Sequence, residues 1–294
     1  MINTFSVSFS DNAFQIIHVS NENEQQILHA GNQFAYPNIS AIDQLFTSEN
    51  INFVSDKISS LKEEKKIENL SLVFSIPFNY SIVKKVCFPH ESSKEQKKNQ
   101  IEWELSANLS EPINSFKIMI VNENKSAPNY VEATVIAIDK KIIRMLSEIA
   151  NDNNAEISRL MLNCFAIENY ITEEKSFKTD INYYFLKNAE KYIEHHFYSG
   201  KQYLLSYIDP INGSRNRDEF IVERSNERYK QVLHLIKKLN NNSHCVLYAY
   251  GNGLQTSTVD SLKTGLSLDV EYASINNFPD PDSFKYLEAW GSVL

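Results

Sequence analysis

Glycine is scarce in this chain, with seven in 294 residues. Backbone that passes close to a phosphate needs positions without a side chain, so the count limits how many nucleotide cradles the chain could build. Cysteine is scarcer, with three residues. Cys87, Cys164 and Cys245 are far apart, and no CxxC or metal-ligand spacing joins them. They are expected as small buried thiols in a reducing cytoplasm, which excludes a disulfide framework. Basic charge is in deficit, the net charge being −8. That excludes a general affinity for nucleic acid or anionic lipid. Two local groups of cations stand out, Lys94, Lys97 and Lys98, and Arg215, Arg217, Arg224 and Arg228. Both are expected as solvated helix faces. No window of about 20 apolar residues is present to span a bilayer. The opening MINTFSVSFSD has no positive region followed by an apolar run, so no signal peptide is expected. The G-x-S-x-G, Walker and H-E-x-x-H patterns are missing too.

What is present is a repeated order of elements. Residues 3–9, 13–20 and 25–31 read as a meander of short strands, with turns at Asp11–Asn12 and Asn21–Glu24. A helix over 49–66 follows, with Ile51, Val54, Ile58 and Leu61 on one stripe. LSLVFSIP (70–77) is a continuous apolar run closed by proline, the mark of a central strand covered on both faces. A strand at 79–89 leads to a helix capped by Ser92 or Ser93 and running to about Leu109. Strands at 114–124 and 130–139, a helix at 140–154, a strand at 156–162 and a short helix at 164–174 complete this half. Beyond the polar stretch 173–180 the cycle restarts. Strands at 181–186, 191–199 and 202–209 precede a long helix at 217–240, and strand, helix, strand and helix end the chain. The two halves repeat a topology without repeating a sequence, which suits a duplicated α/β architecture.

The middle of the chain carries a resemblance. FSIPFNYSIVKKVCFP (74–89), KNQIEWELSANLSEPINSFKIMIV (98–121) and VEATVIAIDKKIIRMLSEIANDNNAEISRLMLNCFAIENY (131–170) resemble, in order and length, consecutive segments of type IV pilus assembly proteins of the PilM kind. The chain is also similar to short uncharacterised Bacteroidetes proteins that keep a worn actin-like fold. The resemblance implies a duplicated ribonuclease-H-like (actin-like ATPase) fold. It implies a first half over 1–175, with a small α+β subdomain inserted at 79–139, and a second half over 176–294.

Working members of that superfamily hold phosphate and metal with two glycine-bearing hairpins, each preceded by an acid. Backbone N–H groups must reach the phosphates, and a carboxylate must position the metal's water. The family's first hairpin reads D-I-G-S-S-S-I-K. Here the matching stretch runs from Ser8 to Gln15, so the acid is Ser8, the glycine Ser10 and the lysine Gln15. Asp11 lies nearby and is expected to serve the turn. The second hairpin, 186–192, has neither aspartate nor glycine, and Lys187, Glu190 and Lys191 read as an ordinary charged turn. The adenosine-side element is matched by Gly251, Asn252 and Gly253, vestigial candidates for nucleotide contact. No catalytic residue, metal or cofactor is therefore expected.

The remaining constellations read as structural. His195 and His196 are adjacent in a strand and face opposite sides, with no acid visible at ligand spacing. Trp103 lies off the stripe of Ile101, Leu105 and Leu109 and is expected to pack. The tyrosines of the second meander are expected as half-buried sheet residues. The expected function is a non-catalytic scaffold or adaptor for a protein partner in a pilus or secretion assembly. By the resemblance, that partner is the cytoplasmic tail of an inner-membrane protein, which would place this chain in the cytoplasm at the inner membrane's face. A homodimer is a further option. The alternative is a residual ATP-binding or ATPase protein, resting on Gly251–Gly253.

Overall fold

The computed structural model describes residues 2–22, 25–37, 44–109, 111–173, 177–211, 213, 216–239, 244–276 and 278–294. Arg215 and the turn at Asn23–Glu24 lie outside them. Two compact units are present, Met1–Ile76 with Ala150–Leu294, and Pro77–Ile149.

In the larger unit, β1 (Ile2–Phe9), β2 (Ala13–Glu22) and β3 (Gln25–Ala35) form the first meander. Next come α1 (Ser48–Glu64) and β4 (Leu70–Ile76). The smaller unit contains β5 (Ser81–Pro89), α2 (Lys94–Ser106), β6 (Phe116–Ala127) and β7 (Tyr130–Asp139), followed by α3 (Lys140–Asp152). The larger unit resumes with β8 (Ala155–Leu162) and α4 (Asn163–Glu173). Its second cycle is β9 (Asn182–Asn188), β10 (Tyr192–Ser199), β11 (Gln202–Pro210), α5 (Arg217–Leu239), β12 (Cys245–Tyr250), α6 (Thr256–Gly265), β13 (Asp269–Tyr272) and α7 (Leu287–Val293).

The first sheet has the order β3-β2-β1-β4-β8 and the second β11-β10-β9-β12-β13. In each, the meander strands pair antiparallel and the last two strands join in parallel. This is one ribonuclease-H-like order used twice, as expected. β4 lies between two parallel neighbours, and every side chain of its run except Ser71 is buried. Ile51, Val54, Ile58 and Leu61 of α1 are buried, as their helical spacing requires.

The second meander is more deeply buried than its sequence implied. Tyr184, Tyr192 and Tyr198 are fully buried and Tyr183 nearly so, not half-exposed sheet residues. Tyr198 packs edge-on against Phe185, which stacks on Tyr248, and Tyr184 stacks separately on Phe197. α7 departs from its place in the chain order. It closes the second cycle in sequence but packs on β1 and β4 of the first sheet and against α4. The Ser6 hydroxyl, on β1, donates to the Ala289 carbonyl at 2.7 Å and pairs with Ser292 at 2.6 Å.

The smaller unit is a three-stranded antiparallel sheet, β5-β7-β6, with α2 on it. A capping box starts α2. The Ser93 hydroxyl accepts from Gln96 N, and the Gln96 side chain accepts from Ser93 N. The helix ends at Ser106, short of Leu109. Two expectations fail in this unit. Trp103 is 71% exposed, because it points away from the face that buries Ile101 and Leu105. Cys87 is exposed, because it alternates along β5 with the buried Val86 and Phe88.

Candidate functional site

The three stretches matched by the resemblance to nucleotide-holding elements are brought together in the larger unit. The first hairpin turns at Ser10–Ala13, where Ser10 N donates to Ala13 O at 2.8 Å. The second turns at Ala189–Tyr192 with the corresponding bond at 3.1 Å. Strand register extends the equivalence. Ser8 pairs across its hairpin with Gln15, and Lys187 pairs across the other with Glu194. Lys187 therefore occupies the position of the second acid, Ala189 that of the glycine, and Glu194 that of the distal lysine. In the first hairpin the acid and lysine positions are both neutral, and the Ser8 hydroxyl donates to Gln15 Oε1 at 3.0 Å. In the second the charges are exchanged.

This corrects the reading of 186–192 as an ordinary charged turn. Lys187 ends a buried strand and is 3% exposed. Its ammonium lies 2.9 Å from Glu288 of α7 and 3.6 Å from Glu194. Asn163 donates to both carboxylates, at 2.6 and 3.1 Å, and the Tyr250 hydroxyl donates to Glu288 at 3.0 Å. Burial alone would push Glu194 toward its neutral form, but the Lys187 charge and the bond to His196 hold its carboxyl below the usual carboxylate range. Burial likewise works against the Lys187 charge, and Glu194 with Glu288 reverses that, raising its pKa.

The histidines also differ from expectation. His196 Nε2 lies 3.2 Å from Glu194 Oε2, and His195 Nε2 lies 3.1 Å from Asp209. The sequence reading missed the pairing within Glu194-x-His196, although residues two apart in a strand share a face and gave the signal for it. Glu288, 92 positions beyond His196 in the numbering of the chain, gave no such signal. Glu194, His196 and Glu288 offer ligand atoms within 4.8 Å of one another. A donor set of this type suits a divalent ion, and the Lys187 ammonium supplies positive charge at the same place. On the other side of the sheet, Asp209 accepts from Arg228 at 2.5 and 2.9 Å. Arg228 is thus an anchor of α5, where a solvated face was expected.

Asp11 does more than form its own turn. It is fully buried, and its carboxylate accepts from the backbone of the opposite hairpin, Lys191 N at 2.5 Å and Glu190 N at 3.3 Å. Burial raises its pKa, against the pull of these two N–H groups and of Lys187. Arg217 braces the same hairpin through Asn188 Oδ1 at 2.6 Å, Glu190 O at 2.7 Å and Ala189 O. Asn12 donates to the Glu190 carboxylate.

Gly251, Asn252 and Gly253 complete the closure. Asn252 accepts from the Ser10 hydroxyl at 3.2 Å and donates to Asn12. Gly253 N donates to Asn188 O at 2.8 Å, and Asn188 Nδ2 donates back to Gly253 O at 3.0 Å. A Cβ at Gly251 or at Gly253 would lie 2.8 Å from Asn188 O. Gly251 also has φ +106°, outside the range of ordinary side-chain-bearing residues. Both glycines are therefore required for close approach to the second hairpin.

The arrangement invites comparison with known structures. A solved PilM–PilN type IV pilus biogenesis complex superposes with a TM-score of 0.75 at 14% identity, over 98% of this chain and 97% of that one. The chain has the actin-like ATPase fold. The cytoplasmic domain of EpsL, an inner-membrane component of the type II secretion system of Vibrio cholerae, matches with a TM-score of 0.55 at 11% identity, over 93% and 90% of the two chains. A Bacteroides thetaiotaomicron protein with an actin-like ATPase fold and unknown function gives 0.50 at 13% identity, over 91% and 90%. No protein-family model and no curated protein matches the chain. The hairpins at 10–13 and 189–192 and the turn at 251–253 are the stretches that the sequence resemblance matched to phosphate loops and an adenosine-side element. Here the three are hydrogen-bonded to one another. No helix among the described residues is long and apolar enough to cross a membrane.

Removal of the Asp11 carboxylate tests how much this closure contributes. Asp11→Ala leaves two N–H groups of the second hairpin without their acceptor, a loss of about 1–3 kcal/mol for buried donors. Urea unfolding of the variant should show a lowered midpoint with an unchanged slope.

Proposed function

We propose that this chain is a non-catalytic actin-like adaptor that binds a protein partner in a pilus or secretion assembly. The observation that carries the reading is the Asp11 carboxylate seated on Glu190 N and Lys191 N. In a working actin-like ATPase the N–H groups of this hairpin face the phosphates, and here an internal anion takes them. The metal-positioning acids are Ser8 and Lys187, so neither phosphate nor metal finds its usual partner. The two glycines of the third loop are used in packing, which argues against the residual ATP-binding alternative.

The likenesses support the choice of partner. One matching structure is a complex of PilM with PilN, and another is the cytoplasmic domain of an inner-membrane secretion component. By analogy of fold, this chain holds the cytoplasmic tail of an inner-membrane protein and lies peripherally at that membrane. A second copy of the chain is the other candidate partner.

Two measurements test the two parts separately. Calorimetric titration with Mg-ATP should give no binding heat at millimolar nucleotide, and the melting temperature should not move; a shift of several degrees would overturn the non-catalytic part. Cross-linking in cells that express the protein, followed by extraction of membranes, should recover it joined to an inner-membrane protein. Recovery only as free, unlinked chain would sink the adaptor reading.

A further inference from the structure

In the smaller unit the sheet is wider than α2, the helix packed on its core face. α2 packs over β5 and β7, burying Ile101 and Leu105 among Val86, Phe88, Val131, Ala133 and Val135. A helix about 10 Å across covers roughly two strands spaced about 4.8 Å apart. β6 is left beside it, and a groove of about 640 Å³ opens between α2 and β6. Ile118 and Ile120 of β6 and Ile101 of α2 give it an apolar floor, and Lys94, Lys97 and Lys98 stand on its rim.

β6 is also an edge strand of this sheet. From Phe116 to Ile120 its pairing with β7 runs without interruption, and the first irregularity comes between Ile120 and Asn122. Along that stretch the outer edge offers a row of main-chain donors and acceptors. Natural proteins usually blunt such edges with prolines, charges or bulges. Here Ile120 is 45% exposed and the bulged Val121 46%. Of the six large apolar side chains that are exposed among the described residues, Trp103, Ile120, Val121 and Tyr130 all belong to this unit.

We propose that an extended segment of the partner adds as a fourth strand to the outer edge of β6 and lays alternate apolar side chains into the groove. Main-chain bonds to 116–120 would supply affinity, and Ile101, Ile118 and Ile120 would select the apolar positions, since alternate residues of an added strand face one side. The groove carries three lysines against Glu102 and Glu123 in a chain of net charge −8, so the segment is acidic. The Lys98–Glu102 pair, at 3.7 Å, is solvent-exposed and the Lys97–Glu123 pair, at 3.1 Å, is half-buried, and both lie at the groove's rim where they can be exchanged for pairs to a ligand. This inference rests on the adaptor reading and names the surface and chemistry of its partner.

The test is selection of random dodecapeptides displayed on phage against the full chain, with enriched peptides then synthesised and titrated. The expected winners carry apolar residues at every second position and at least one acid. Their affinity should fall at least tenfold for Ile120→Glu, at an exposed position, and severalfold for Lys97→Glu, at a half-buried one, with thermal melting to verify that each variant is folded. Bound peptide should slow hydrogen exchange at alternate amides of 116–120. No enrichment, helical spacing of the apolar residues, or equal binding by Ile120→Glu would overturn the proposal. The cross-linked membrane partner separates the two ideas. If it is recovered equally with Ile120→Glu, the adaptor reading stands and this surface falls.

Discussion

Lys187→Met should destabilise the protein by about 3–5 kcal/mol, the cost of leaving a buried charge without its partner. The ammonium is 3% exposed and sits between Glu194, fully buried, and Glu288, 4% exposed. Methionine fills the stem's volume but leaves two carboxylates facing each other in a low-dielectric site. Asn163 and Tyr250 still donate to them, which satisfies oxygen atoms but does not neutralise charge. The pH dependence distinguishes this mechanism from lost packing. In the native protein Glu194 is held below the usual carboxylate range, chiefly by Lys187 acting against burial. In the unfolded chain it takes up its proton near pH 4.3. Its contribution to stability is therefore present above that pH and is lost as pH falls below it. In Lys187→Met, burial without the cation pushes the Glu194 carboxyl pKa up, so stability should rise as pH is lowered from 8 to 5. Urea unfolding at a series of pH values reads both slopes. A variant whose deficit is constant across that range would show that the lysine acts only as filler. Adding Glu288→Gln to Lys187→Met should recover part of the loss at pH 8, because it removes one of the opposed charges.

Gly291→Ala should cost about 3 kcal/mol, at the upper end of what overpacking typically does. The sign is informative. Glycine within a helix is normally worse than alanine by about 0.5–1 kcal/mol, so propensity alone would make the variant more stable. At Gly291 the added Cβ would lie 2.0 Å from the Ala166 carbonyl oxygen and 2.7 Å from its carbon. Both are backbone atoms of α4, and no rotamer change relieves the clash. α7 would have to lift away from α4, and it carries Glu288 to Lys187 and Ser292 to Ser6. Thermal unfolding should therefore show a melting temperature several degrees lower. A variant at or above the native temperature would mean that α7 shifts without loss and that its contact with α4 is not close-packed.

The order of elements was legible because period and punctuation are local properties. The apolar run 70–76 with Pro77 marks a buried strand, the meanders alternate around short polar turns, and Ser92 or Ser93 offers a cap for the start of α2. The loss of acids from the phosphate hairpins was equally legible, because it needs only the residue types at Ser8 and Ser10 and the missing aspartate of 186–192. The fate of the replacement residues was not. Lys187 reads as a turn lysine until register sets it across from Glu194 and the return of α7 brings Glu288. Asp11 reads as a turn former until the second hairpin arrives 180 positions later with two N–H groups to cap. Trp103 misled for the opposite reason: a large aromatic implies burial, but α2 presents that side to no core of its own unit.

Seven glycines and the lack of an acid at the matched hairpin positions were enough, without coordinates, to set the expectation that the usual phosphate chemistry is missing. Local pattern also specified a twice-used arrangement of strands and helices. The tertiary structure alone decided what became of the vacated site: Asp11 caps the opposite hairpin, Lys187 joins Glu194 and Glu288, and Gly251 and Gly253 close against Asn188. The reason is distance along the chain. Side-chain period and turn chemistry act over a few residues, whereas each of these contacts joins strands, loops or helices whose separation in sequence carries no local signal. Only the folding of both halves into one unit brings such groups within reach of a hydrogen bond.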